Sequence, residues 1–208
     1  MKVFHLAVIR VSAGAPTEES ASTSFILSSA SDLSSFSFFQ RGSVAEFMNF
    51  FSATVAGRMD ENQRKEITTN EQGEHKVHAF RPRGQLCVTV LTDSEYPSRV
   101  AFGLASKILD DFTKLFARHQ YIDTNEMLTL PSLNHYIVSY QDPKQEDNIM
   151  KLQQELDQTT AVMRSTIEQL MDRGGKLNDL VDKSNYLSTS SRTFLKSAKK
   201  ANSCCIVM

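Results

Sequence analysis

The chain has 208 residues, with 23 Lys plus Arg against 24 Asp plus Glu, a formal net charge of −1, 9% aromatic residues and no Trp. That length holds one ordinary domain and an extended segment, and that charge balance excludes a globally basic nucleic-acid binder. Three cysteines, two of them near the end (Cys204 and Cys205), exclude a disulfide framework and fit a reducing compartment.

In chain order, Lys2 to Val11 reads as a first strand, β-branched and aromatic, with no signal-peptide core. Residues 12–24 are small and polar and predict an enlarged hairpin loop before a second strand at Phe25-Ile26-Leu27. The rings Phe36, Phe38 and Phe39 follow, too many for an ordinary solvated loop. Ser43 with Glu46 three residues on makes a capping box, and Val44, Phe47, Met48, Phe51 and Val55 recur at helical spacing, so a helix is predicted over Ser43–Arg58. Three strands are predicted at Gln63–Thr69, Lys76–Arg81 and Leu86–Thr92, separated by Gln72-Gly73 and Pro82-Arg83-Gly84. Cys87, inside the last of these, reads as a buried free thiol. Pro97 opens a second helix with the apolar face Val100, Phe102, Leu104, Ile108, Leu109, Phe112, Leu115 and Phe116, and a shorter helix over Pro131–Tyr140 ends the domain. The expected class is α+β, a five-stranded antiparallel sheet flanked by helices and followed by a long helical arm. The divisions are 1–140 for the domain, 141–201 for the arm and 202–208 for the tail.

The arm steps in alternating threes and fours through Ile149, Leu152, Leu156, Thr159, Met163, Thr166, Leu170, Arg173, Leu177, Leu180, Ser184, Leu187, Ser191, Phe194, Ala198 and Ala201. That is the coiled-coil period, and one helix of this length spans roughly 80 Å. An arginine in the middle of an apolar seam is costly without acceptors. In a parallel homodimer two such arginines would face each other, so Arg173 asks for partners of another type carrying amide oxygens at its level. Gly174 and Gly175 weaken the helix by roughly 2 kcal/mol relative to Ala, which favours an arm that orders on binding.

The chain ends in Cys205-Ile206-Val207-Met208, a Cys-aliphatic-aliphatic-X box in which Met favours a farnesyl group on Cys205. Cys204 is the expected site of a second lipid, palmitoyl or prenyl, because one chain alone gives only reversible membrane binding. After Asp182 the residues Lys183, Arg192, Lys196, Lys199 and Lys200 have no acidic counterpart, which favours an anionic leaflet beside the anchor. No catalytic constellation, cofactor motif or phosphate loop is present. His75 and His78 lack zinc-site companions and read as surface histidines.

The arm around Leu170-Met171-Asp172-Arg173 resembles an R-SNARE motif with Arg173 as the ionic-layer arginine. Phe36-Ser37-Phe38-Phe39-Gln40-Arg41, Glu95-Tyr96-Pro97-Ser98-Arg99 and the tail are similar to the prenylated, longin-domain R-SNAREs of the Ykt family. Gly175, where the family usually has a carboxylate, and the serine-rich loop depart from the pattern. The resemblance implies a longin (profilin-like) fold and a parallel bundle with three Q-SNARE helices driving vesicle membrane fusion. It also implies SNARE-disassembly and tethering machinery as partners, and the cytosol and the cytoplasmic face of Golgi, endosome and vacuole membranes as the place of action. The longin domain is expected to autoinhibit the arm, with Phe36, Phe38 and Phe39 as the docking surface and at least Phe38 or Phe39 lining a groove for the arm or the lipid. The other reading is a longin-type trafficking adaptor or scaffold that oligomerises through its coiled coil, for which Arg173 has no use.

Overall fold

The structure, a computed structural model, describes residues 1–12, 24–68, 74–142, 161–171, 180–182 and 184–193. The strands are β1 (Val3–Val11), β2 (Ser24–Ser31), β3 (Gln63–Thr68), β4 (His75–Arg81), β5 (Leu86–Asp93) and β6 (Val162–Thr166). The helices are α1 (Arg41–Ala56), α2 (Ser98–Leu115), α3 (Arg118–Tyr121), α4 (Ser132–Ser139) and α5 (Ile167–Met171).

One sheet runs in the order β2-β1-β5-β4-β3-β6. The first five strands pair antiparallel, and β6 adds to β3 in parallel, Arg64 opposite Val162 through Thr68 opposite Thr166. The class is the expected α+β, with six strands instead of five, because the arm contributes the sixth.

Strands β1 and β5 are apolar on both faces because each face carries a helix layer. On one face Leu6, Val8, Val88 and Val90 meet Leu104, Ile108 and Phe112 of α2 and Tyr136 of α4. On the other, Ala7, Ile9 and Cys87 meet Met48, Phe51 and Val55 of α1. Gly84, at φ 112°, makes the β4–β5 turn in a conformation that side-chain-bearing residues rarely adopt.

Several boundaries differ from the sequence reading, each for a physical reason. Strand β2 continues past Leu27 to Ser31 because its serines bond inward: Leu130 N–H donates to Ser28 Oγ (3.2 Å), and Ser31 Oγ lies 2.7 Å from His5 Nδ1. Helix α1 begins at Arg41, since Arg41 N–H donates to Ser37 O and Val44 N–H to Gln40 O. Ser43 thus lies inside the helix and the expected capping box does not form. Pro97 is the cap of α2, one residue before its first turn, and Leu115 at its far end is exposed.

His78 is corrected from surface to core. It is fully buried, with Nε2 3.1 Å from Thr92 Oγ1 and its ring edge-on to Phe102 at 5.4 Å. Burial depresses its pKa to about 4. Cys87 is fully buried and its thiol is pushed up to about 12 by desolvation, so it is unreactive.

Candidate functional site

The described parts of the arm lie along the longin-like domain and touch both edges of its sheet. At the β3 edge, Val162, Met163 and Arg164 are exposed, so β6 is held mainly by its backbone ladder. Its most specific side-chain contact is Arg164 to Glu66, Nε to Oε1 3.8 Å. Glu66 is a buried carboxylate that also faces Lys76 Nζ at 3.4 Å and accepts the Ser98 hydroxyl. Burial works to raise its pKa. The Ser98 hydrogen bond and the charge of Lys76 outweigh burial and hold the carboxyl below its usual range.

Past β6 the chain turns into α5, and Ile167 and Leu170 enter the core beside α1. A second group closes over the outer side of α1, where Phe50 (3% exposed) packs with Val181 and Leu187. Each fully buried aliphatic side chain is worth about 1.5–3 kcal/mol. Ordering backbone costs about 1–2 kcal/mol per residue, which offsets much of what these apolar anchors contribute.

Polar contacts fix its path. Ser188 N–H donates to Glu46 Oε2 at 2.7 Å, and the Ser188 hydroxyl donates to Ser191 Oγ at 3.1 Å. Burial pushes the Glu46 pKa upward, but hydrogen bonds from Ser188 and Ser191 hold it below the ordinary value. The carboxylate read from the sequence as a cap is thus an arm contact. At the opposite edge, Tyr186 Oη donates to Ser24 O (2.8 Å) and accepts from Ile26 N–H (3.3 Å). It occupies backbone groups of β2 that a further strand would otherwise use. Arg192 Nη2 donates to Ser184 O at 2.6 Å and tightens this last stretch.

Of the seam positions, Leu170 and Leu187 are buried with α1 side chains and Ser191 beside Glu46, Ser184 is buried among arm residues, and Leu180 is half-buried. Met163 and Thr166 lie in β6, so in this structure the arm is not one continuous helix. Ile149, Leu152, Leu156, Thr159, Arg173, Leu177, Phe194, Ala198, Ala201, Cys204 and Cys205 lie outside the described residues. Phe36 is half-buried, edge-on to Phe4 at 6.4 Å. Phe38 and Phe39 are 78% and 94% exposed, stacked edge-on to each other at 5.9 Å.

The sequence reading passed over Phe50, Glu66, Ile167, Val181 and Tyr186. For Ile167 and Val181 a signal existed: apolar residues of the arm standing off the seam register have no layer to fill in a bundle, and they anchor the arm here. Among the described residues no group of His, Cys, Asp and Glu is placed to hold a metal ion, and no helix is long and apolar enough to cross a membrane.

Comparison with known proteins places this geometry. Residues 33–137 match the family model described as a regulated-SNARE-like longin domain, and residues 148–206 match the synaptobrevin model. The chain is 50% identical to the synaptobrevin homolog ykt6 of Schizosaccharomyces pombe over 88% of its own length and 91% of that protein. It is 44% identical to the synaptobrevin homolog YKT6 of Saccharomyces cerevisiae over the whole of both chains. It is 42% identical to the VAMP-like protein YKT61 of Arabidopsis thaliana over 90% of this chain and 93% of that one. A chain matched over both its domain and its arm belongs to the Ykt6-like longin SNAREs of the synaptobrevin family, non-enzymatic proteins of vesicle trafficking.

Proposed function

We propose that the chain is a lipid-anchored R-SNARE whose arm exchanges between two mutually exclusive burials. In one it lies on the longin domain and is autoinhibited. In the other it forms a parallel four-helix bundle with three Q-SNARE helices and drives membrane fusion. The observation that carries this reading is that Leu170, Leu187 and Ser191 are both seam positions and buried domain contacts. A side chain cannot face α1 and a bundle layer at once, so the domain competes directly with the partners. In the bundle Arg173 meets the glutamines of the partner helices in an apolar-sealed layer, where charge-assisted hydrogen bonds are strong. Phe38 and Phe39, solvent-facing among the described residues, serve the lipidated end of the chain, which also needs cover in water.

Phe50 tests the reading from the domain side, since apart from its neighbour Phe47 it packs with arm residues, Val181 and Leu187 and the half-buried Leu180 and Tyr186. Phe50→Ala removes a large buried ring, a loss of about 3–5 kcal/mol in a well-packed site. The expected result is faster assembly of the whole chain with three Q-SNARE helices, measured by the appearance of a sodium dodecyl sulfate-resistant complex, with the domain's circular dichroism preserved. Assembly no faster than that of the unsubstituted chain would show that the arm is not restrained by this face.

A further inference from the structure

The arm shows by its own seating what the outer edge of β3 accepts. We propose that this edge, once the arm has left, is a strand-accepting site for an extended segment of a partner protein. The segment adds in parallel to β3 with a basic residue opposite Glu66 and an aliphatic residue three positions later. This rests on the reading that the arm leaves the domain.

Four features of the edge support it. Strand β6 pairs in parallel along Arg64 to Thr68, so the outer backbone groups of β3 are strand-competent. The affinity of such an addition comes from the main-chain ladder, and its specificity from alternate side chains. Here the β6 side chains Val162, Met163 and Arg164 are exposed, so little in them demands this one segment. Second, charged residues normally guard a free edge against pairing. On β3 they turn inward: Arg64 stacks over the Phe80 ring at 4.8 Å, and Glu66 is tied to Ser98 and Lys76. Third, Glu66 is a buried carboxylate that the arm meets with a guanidinium at 3.8 Å, and departure of the arm removes that cation. A basic residue in the incoming segment restores it. Fourth, Ile167 enters the α1-side core three residues beyond Arg164, which leaves an apolar socket in line with the edge. Charge and socket together fix both the register and the direction of an incoming strand.

The probe is a fluorescent peptide with the sequence of Ala161–Met171, titrated against the whole chain by anisotropy. Arg164→Glu loosens the chain's own strand by setting like charges opposite each other. Ile167→Asp loosens it independently by placing a carboxylate in the core contact. Both leave the longin residues unchanged. We expect the peptide to bind each loosened chain at least tenfold more tightly than the unsubstituted one and to slow amide exchange across Gln63–Thr68. An Arg164→Ala peptide should bind about threefold more weakly, as an exposed ion pair allows, and that difference should vanish when the loosened chain also carries Glu66→Gln. Binding no tighter than that of a scrambled peptide would overturn the proposal, as would equal affinity for loosened and unsubstituted chains. If light scattering shows the loosened chains dimerising without taking peptide, the edge serves a second copy instead, and the proposal fails. No Q-SNARE is present in this experiment, so its failure and failure of the bundle reading are separable.

Discussion

His5 and His78 show how single residues tie this fold to pH. Each is buried, each has one ring nitrogen near a hydroxyl (Ser31 for His5, Thr92 for His78), and each has its other ring nitrogen buried without a hydrogen bond. Burial lowers both pKa values from 6.5 to about 4, against a smaller opposing effect of the Ala30 backbone at His5 and of Glu66 at His78. A base whose pKa is depressed in the folded state contributes stability that is present above 6.5 and lost as pH falls toward 4. Each histidine accounts for a loss on the order of 3 kcal/mol across that window. Urea unfolding of the whole chain at pH 7 and at pH 4.5 should therefore show a marked fall in midpoint, and His78→Asn should reduce the fall. A midpoint that is flat across this range would mean that neither ring is held neutral. The sequence did not disclose this burial, because strand alternation puts His78 on the same face as Lys76, a residue expected at a solvated surface. Its partner Thr92 lies on a neighbouring strand.

Elements differ in how openly the sequence declares them. Helix α2 is legible because its apolar face is continuous from Val100 to Phe112 and a proline precedes it. Strand β1 is legible because both its faces are buried and it is rich in β-branched residues, Val3, Val8, Ile9 and Val11. Strand β6 is not legible. Its exposed side chains leave no period-two mark, its pairing partner is distant in the chain, and its residues carry the three-four step of a bundle helix. The same residues form β6 here and carry the register of the proposed bundle, and local pattern announces only the latter.

The stretch from Ser184 to Ser191 has the same double character. Ser191 is 1% exposed beside the Ser188–Glu46 contact, and it is also a seam position. Ser191→Glu should set a carboxylate near Glu46 and release this end of the arm, since like charges in a desolvated place repel. It should equally burden the bundle layer. Two readouts are expected to move in opposite senses: faster amide exchange over 184–193 in the free chain, and a lower melting temperature of any assembled complex. Unchanged exchange with unchanged melting would remove Ser191 from both surfaces.

At the scale of the molecule, the longin domain is sealed on its two sheet edges by one arm: β6 on β3, and the Tyr186 hydroxyl on β2. An arm so placed holds the stretch Ser184–Thr193 beside the domain, and on the proposed reading zippering would release it. The tail lies outside the described residues. In the proposed anchor, a single prenyl chain on Cys205 would contribute about 0.8 kcal/mol per buried CH₂ and hold the protein only reversibly, and a second lipid on Cys204 would make the hold stable. Lys196, Lys199 and Lys200 add about 1 kcal/mol each at an anionic surface. In detergent phase partitioning of lipidated chain from cells, Cys205→Ser is expected to move the protein wholly to the aqueous phase. Cys204→Ser should leave it in the detergent phase yet weaken retention on anionic vesicles by roughly tenfold or more, the difference between one lipid signal and two. Phe39→Glu, made on the lipidated chain, should act the other way and raise vesicle binding by uncovering the tail. Should Cys205→Ser still enter detergent, the anchor would have to be sought elsewhere in the chain, and the arm's zippering would no longer be coupled to a membrane at this end.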